Sequence, residues 1–326
     1  MSFLHHLLVF TTTIADSRIS VALLTVVLQL TPAFFCSCTP FRDARPRIDS
    51  GDYIDVFFFD TLQPQLLDCY QRLRAGEPLY ALSSTGAKRV VALAVRSKDS
   101  LEWANIRIYG DLCKYAFSLD EDSPGNPLLA GEQILPEGVS RVADLNMKTC
   151  LAKVVLNSIA CDFSQTPYTG QGYLNTSIYM QYAGAEARPF GPGSEYPVSY
   201  INPGWLDSAS VMAYRNPEML LQKGLGNIWR ERKIAGKEFW CYANDVDTAS
   251  VGRPVTRLVL EGFIGDIQCY YPVELPGLKA AQTVKLDLTL LRMGSPDPDI
   301  PVNSETVRVE TVTAPWTEVE RRIEVY

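Results

Sequence analysis

Few residues of this chain are equipped for chemistry. Its only histidines, His5 and His6, stand at the extreme N-terminus, so a chain shortened there keeps no imidazole for zinc ligation or proton transfer. Carboxylates are abundant, 37 Asp and Glu, yet no spacing singles out the pair that glycoside hydrolysis requires. Gly-x-Ser-x-Gly is absent, and Gly191-Pro-Gly-Ser-Glu lacks the strand-to-helix setting of a nucleophile elbow. Neither Gly170-Gln-Gly172 nor Gly224-Leu-Gly226 sits in a dinucleotide fingerprint. The acidic run from Ser118 to Pro127 lacks the fixed oxygen-ligand spacing of a calcium loop and reads as a solvated surface loop. Beyond Cys36 and Cys38 stand Cys69, Cys113, Cys150, Cys161, Cys241 and Cys269, with no CxxC spacing. Buried thiols and disulfides both remain open for these six, and a metal cluster is not expected. An enzyme, a cofactor and a metal site are therefore not expected.

The chemistry that the sequence does offer is at the N-terminus. Arg18 precedes an apolar run, Ile19 to Leu30, too short for a comfortable membrane span and suited to a signal-peptide core. Ala33-Phe-Phe-Cys-Ser-Cys38 follows. Cys38, preceded by small Ser37, suits a lipoprotein signal peptidase better than Cys36 behind bulky Phe35. The region resembles a bacterial lipobox, with Phe35 and Cys36 as departures, and Cys38 is the expected lipidation site and link to outer-membrane lipid. An ordinary secretory signal and an uncleaved anchor are the alternatives, and each exports the chain. A formal charge of -7 and a pI near 5.1 argue against a nucleic-acid partner.

The elements that would position any site are strands. Val284, Leu286, Leu288 and Leu290 alternate with Lys285, Asp287 and Thr289, the period of a half-buried strand. Glu305 to Thr313 repeats that alternation, and Gly294 to Pro301 between them forces a turn or loop. Tyr53 to Phe59 and Lys88 to Val95 read as buried strands, with Thr61 to Arg74 a short amphipathic helix or an irregular crossover. Val139 to Leu145 and Leu151 to Ile159 are expected to close a first half. Leu174 to Tyr182 is expected as a strand, Gly184 to Tyr196 as a loop, and Asp207 to Tyr214 and Pro217 to Gly224 as short helices. Many short strands with turn signals between them favour sandwiches.

The order of several segments resembles the fimbrillin superfamily, the pilus subunits and anchors of Bacteroidales. The likeness runs through the Tyr53 to Asp60 strand, Leu151 to Phe163, Tyr200-Ile-Asn-Pro-Gly-Trp205 and Thr256 to Gly262. It is most specific in Tyr270-Tyr-Pro-Val-Glu-Leu275, Gly294-Ser-Pro-Asp-Pro-Asp299 and the late Trp316. The resemblance implies a mainly β protein of two tandem, transthyretin-like β-sandwich domains with a few short helices. On this sequence they fall at 39–160 and 161–326, after a signal peptide at 1–38.

It also implies a structural or adhesive role on the cell surface and association with other fimbrial subunits, as homo- or heteropolymer. Such subunits polymerise by strand exchange, in which an arginine-specific protease opens a groove that accepts a neighbour's C-terminal strand. The expected processing sites are Arg42, Arg45 and Arg47. The expected donor strand is Trp316 to Tyr326, with Trp316, Val319, Ile323 and Val325 filling pockets. The short polar stretch from Thr39 to Asp52 hardly holds a removable strand, so either Tyr53 to Phe59 is itself the exchanged strand or the protein is an unprocessed, lipid-bearing anchor or accessory subunit. A surface lipoprotein binding a host or bacterial glycan or protein is the other alternative, with Trp205, Trp229 and Trp240 as an aromatic platform.

Overall fold

In the computed structural model, residues 23–25, 53–74, 80–82, 86–95, 100–137, 145–201, 216–230 and 233–315 are described. Strands dominate them. The first group is β1 (Leu23–Thr25), β2 (Tyr53–Asp60), β3 (Leu67–Arg74), β4 (Tyr80–Leu82), β5 (Lys88–Ala94), β6 (Phe117–Ser118), β7 (Leu129–Leu135) and β8 (Lys148–Thr149). The second is β9 (Leu151–Cys161), β10 (Leu174–Gln181), β11 (Ala183–Ala187), β12 (Ser199–Ile201), β13 (Leu221–Gln222), β14 (Ile234–Tyr242), β15 (Arg257–Ile264), β16 (Ile267–Glu274), β17 (Gln282–Leu290) and β18 (Val307–Pro315). Helical structure is limited to α1 (Tyr109–Lys114) and 3-10 turns at Ser100–Asn105, Leu119–Glu121 and Pro217–Met219.

One antiparallel sheet runs β3-β2-β5-β7-β8, and β1 pairs separately with β4. The near-continuous apolar sequence of β2 follows from burial on both faces. Ile54, Val56 and Phe58 pack with Val90, Ala92 and Met147, whereas Phe57 and Phe59 face Val91, Trp103 and Tyr109. A larger sheet runs β12-β11-β14-β9-β17-β18, and a four-stranded sheet, β13-β10-β15-β16, carries the facing apolar row. Val154, Leu156, Leu286 and Leu288 join Ile178, Met180, Leu258 and Leu260 in one apolar cluster, which continues through Leu112 and Phe117 to Phe57. The core therefore crosses the seam between the two sheet systems without a break.

Several segments depart from their sequence pattern for identifiable reasons. Leu67–Arg74 is a strand, because its full ladder with β2 outweighs the helix-like spacing of Leu67, Tyr70 and Leu73. Ala183–Ala187, expected within a loop, is also a strand. A side chain at Gly184 would meet the Tyr242 carbonyl oxygen at 2.7 Å, so glycine marks a close backbone approach there. Leu151–Cys161, expected to close the first half, pairs instead with β14 and β17. Pro217–Gly224 is a single 3-10 turn followed by β13. The expected strand from Val139 and the helix from Asp207 lie mostly or wholly outside the described residues.

Among the described residues, the buried charges of the first sheet, Asp55 and Lys88, are paired. Asp55 is fully buried and accepts from the Tyr70 hydroxyl at 2.6 Å and the Arg72 guanidinium at 3.2 Å. Burial pushes its carboxyl up, and those two partners oppose the push. Lys88 is likewise buried, with its ammonium 2.5 Å from Asp60 and 2.9 Å from Asp68, so β5, β2 and β3 meet at one cation. Burial alone would lower the Lys88 pKa, but the two carboxylates outweigh it and hold it above its ordinary value. Lys88→Met would leave both carboxylates without that cation. The expected loss is about 2–3 kcal/mol in a urea titration, below the value for a wholly buried pair because the Asp60 side chain is 40% exposed. An unchanged midpoint would contradict this reading.

Candidate functional site: a terminal edge strand and a buried seam

The last described strand is held differently from the others. β18 pairs with β17 from Val307↔Leu290 to Pro315↔Gln282, and it is the outermost strand of its sheet. Its Val307, Val309, Thr311 and Thr313 stand opposite Leu290, Leu288, Leu286 and Val284, whose side chains are buried. Yet Val309 is 40% exposed, and Thr311 and Thr313 are exposed, because the facing sheet does not extend over this row. On the other face Arg308, Glu310 and Val312 are exposed as well. Apart from Val307, β18 is attached through its backbone ladder to β17, and among the described residues no strand pairs its outer edge. Such an edge offers unsatisfied backbone groups to another strand.

The loop before β18 fixes where that strand starts. Ser295 and Tyr270 exchange backbone hydrogen bonds of 2.8 Å, and a side chain at Gly294 would collide with the Tyr270 carbonyl oxygen. Arg257 donates to the Asp299 carbonyl at 3.0 Å, and the buried amide of Gln181 donates to the Asp299 carboxylate. Asn303 accepts from the backbone N–H groups of Glu305 and Thr306 at 3.1 Å each, which turns the chain into β18. The Gly-Ser-Pro-Asp-Pro-Asp run thus ties the terminal strand to β16.

The residues expected from sequence to act lie elsewhere. Cys38, Arg42, Arg45, Arg47, Trp316, Val319, Ile323 and Val325 are all outside the described residues, as is Trp205. The aromatic platform does not assemble from the other two tryptophans. Trp229 is 38% exposed, but Trp240 is buried, with the Lys153 ammonium 4.8 Å from its ring centre. The six cysteines are free thiols. Burial pushes the Cys241 thiol up to about 12 and raises Cys150, Cys161 and Cys269, which keeps them protonated and unreactive.

Sequence reasoning also missed a buried carboxylate. Asp122, read as part of a solvated acidic loop, is only 4% exposed and stands where that loop meets β14. One of its oxygens accepts from the N–H groups of Ser123 at 2.7 Å and Leu128 at 3.0 Å, and the Tyr242 hydroxyl stands beside the carboxylate. Asn216 donates to its carbonyl at 3.0 Å, and Tyr242 donates to the Ser118 carbonyl at 3.3 Å. A cavity of about 20 Å³, lined by Ser118, Asn126 and Tyr242 among others, adjoins it and is large enough for one water. Burial pushes the Asp122 carboxyl up to about 7 against the two N–H groups and the Tyr242 hydroxyl.

No family model and no curated protein matches the sequence. Solved structures do match. A candidate cell adhesion protein from Bacteroides eggerthii DSM 20697 aligns with a TM-score of 0.63 at 18% identity, over 90% of this chain and 96% of its own. Fimbrilin from Porphyromonas gingivalis W83 aligns with a TM-score of 0.59 at 12% identity, over 92% of this chain and 98% of its own. A candidate cell adhesion protein from Parabacteroides distasonis ATCC 8503 gives 0.58 at 12% identity, over 90% and 98%. At such identities the likeness is one of fold, which this chain shares with those proteins.

The shift at Asp122 has a sign that can be measured. Between the ordinary value of 3.8 and about 7, the unfolded chain releases this proton while the folded chain keeps it, so stability falls as pH rises through that window. Asp122→Asn keeps an oxygen for Ser123 and Leu128 and removes the titration. The variant is expected to match the parent near pH 4 and to melt higher than it at pH 8. Parallel melting curves across that range would contradict the assignment.

Proposed function

We propose that this protein is a structural or adhesive component of a bacterial surface fimbrium, without enzymatic activity. The observation that carries the reading is β18, an edge strand with no strand on its outer edge among the described residues and with both faces exposed from Arg308 to Thr313. Core burial gives a strand most of its stability, so a strand left uncovered and still paired along its length is suited to a partner. The fold shared with fimbrilin from Porphyromonas gingivalis supports the same reading.

The finer assembly step follows from that edge. A strand from another copy, or from a different fimbrial subunit, adds to an open sheet edge and satisfies its unpaired backbone groups. In this proposal residues 316–326 follow β18 as the donor, with Val319, Ile323 and Val325 on one face and Trp316 as a further anchor before them. Cleavage after Arg42, Arg45 or Arg47 produces the polymerising form. A chain that keeps its lipid on Cys38 acts as an anchor in the outer membrane. A glycan-binding surface lipoprotein that does not polymerise is the second reading, favoured by the charged cleft described below.

Two measurements separate these roles. N-terminal sequencing of surface-extracted protein is expected to begin just after one of the three arginines, and a blocked, lipidated terminus would assign the anchor role instead. Deleting residues 316–326 is expected to abolish the ladder on unboiled gels while leaving the melting temperature of the monomer within a few degrees. An unchanged ladder would sink the donor-strand step.

A further inference from the structure

The seam between the two sheet systems opens on one side into a cleft of about 510 Å³, within the roughly 300–1,000 Å³ typical of small-molecule sites. One wall comes from the first sheet and α1, through Arg89, Tyr109, Glu132 and Lys148. The other is the loop from Pro189 to Ser194. A second cavity of about 290 Å³ adjoins it, shares Cys150, Pro189, Ser194 and Ala280 with it, and is lined further on by Asp245 and Lys279.

Two complementary pairs stand in the chambers, and Lys148, Arg188 and Glu195 line them as well. Glu132 accepts from the Tyr109 hydroxyl at 2.6 Å and from the Arg89 guanidinium at 3.2 Å, and that guanidinium lies 4.4 Å from the Tyr109 ring centre. The Arg89 Nε is buried and has no hydrogen-bond partner. In the adjoining cavity the Lys279 ammonium is 3.7 Å from Asp245. At these two pairs an ionic ligand would have to compete with a carboxylate or a cation already in place, and along the rest of the lining charges of both signs interleave. A hydroxyl group both donates and accepts, so it adds to such a pair without breaking it, and neighbouring hydroxyls on a ring suit the spacing of a guanidinium beside a carboxylate. Pro189, Pro192, Ala130 and Ala280 supply apolar surface for the C–H faces of that ring.

We propose that this two-chambered cleft binds a neutral oligosaccharide of two or three sugar units. The site deepens the second reading above by giving it a location other than the tryptophans, and it does not depend on whether the chain polymerises.

The test is an array of neutral oligosaccharides of two to four sugars, with uronate-containing oligosaccharides as the acidic arm, probed with the purified exported protein. The best neutral binder is then titrated by calorimetry. Ser194→Trp fills the cleft from the loop side, and Glu132→Gln removes the charge that holds Arg89. Each is expected to weaken binding at least about tenfold, the worth of one well-made hydrogen bond, without lowering the melting temperature. A destabilised variant would be replaced by Ala280→Leu, which narrows the shared floor. Failure to retain any neutral oligosaccharide at millimolar concentration, a preference for uronates, or unchanged affinity in the cleft-filling variants would each overturn the proposal. None of these results bears on ladder formation, so the fimbrial reading would stand or fall separately.

Discussion

The parallel ladder between β9 and β17 is the constraint on which the rest of the structure depends. It brings Lys153 to Cys161 beside Thr283 to Leu290, strands far apart in the chain, and it places Val154, Leu156, Leu286 and Leu288 in one buried row. Parallel strands cannot be joined by a tight turn, so everything between them must pack before the pairing holds. β9 also follows directly after β8 and pairs with β14 on its other side, which links the first sheet to the larger one. The continuous core across the seam is a consequence of that single central strand.

Distance from this ladder sets the character of each region. Near it lie buried thiols and aromatic side chains such as Tyr173 and Tyr271, whose rings meet edge to face at 5.2 Å. One strand further out, β18 keeps the ladder but loses the opposing sheet, so hydrogen bonding and burial separate along its length. Local stability is expected to be lowest there, as it is wherever a strand makes few apolar contacts. Asp122 shows the opposite compromise, an ionisable group held inside the seam by two backbone N–H groups.

Strands buried on one or both faces were the legible part of the sequence. Tyr53 to Phe59, Leu151 to Ile159, Leu174 to Tyr182 and Val284 to Leu290 carry their pattern locally, and all form strands. β3 was not legible because Leu67, Tyr70 and Leu73 fall at helical spacing, and only the ladder with β2 decides between the two. β11 was hidden by its composition, Ala-Gly-Ala-Glu-Ala, whose small side chains serve a close strand approach and carry no apolar signal. The role of Asp122 and the meeting of Arg89 with Tyr109 and Glu132 depend on tertiary contacts across many residues. The open edge of β18 was hidden for a related reason: its alternation of Val and Thr reads as half-buried, and exposure is set by how far the facing sheet extends.

Hydrogen exchange along residues 307–315, compared between the monomer and surface-extracted assemblies, tests the central claim most directly. A strand paired only with β17 protects every second amide. If β18 is an assembly edge, the alternate, outward amides exchange freely in the monomer and become protected in the assembly, with little change in β17. Equal exchange in the two forms would contradict an assembly role for this edge.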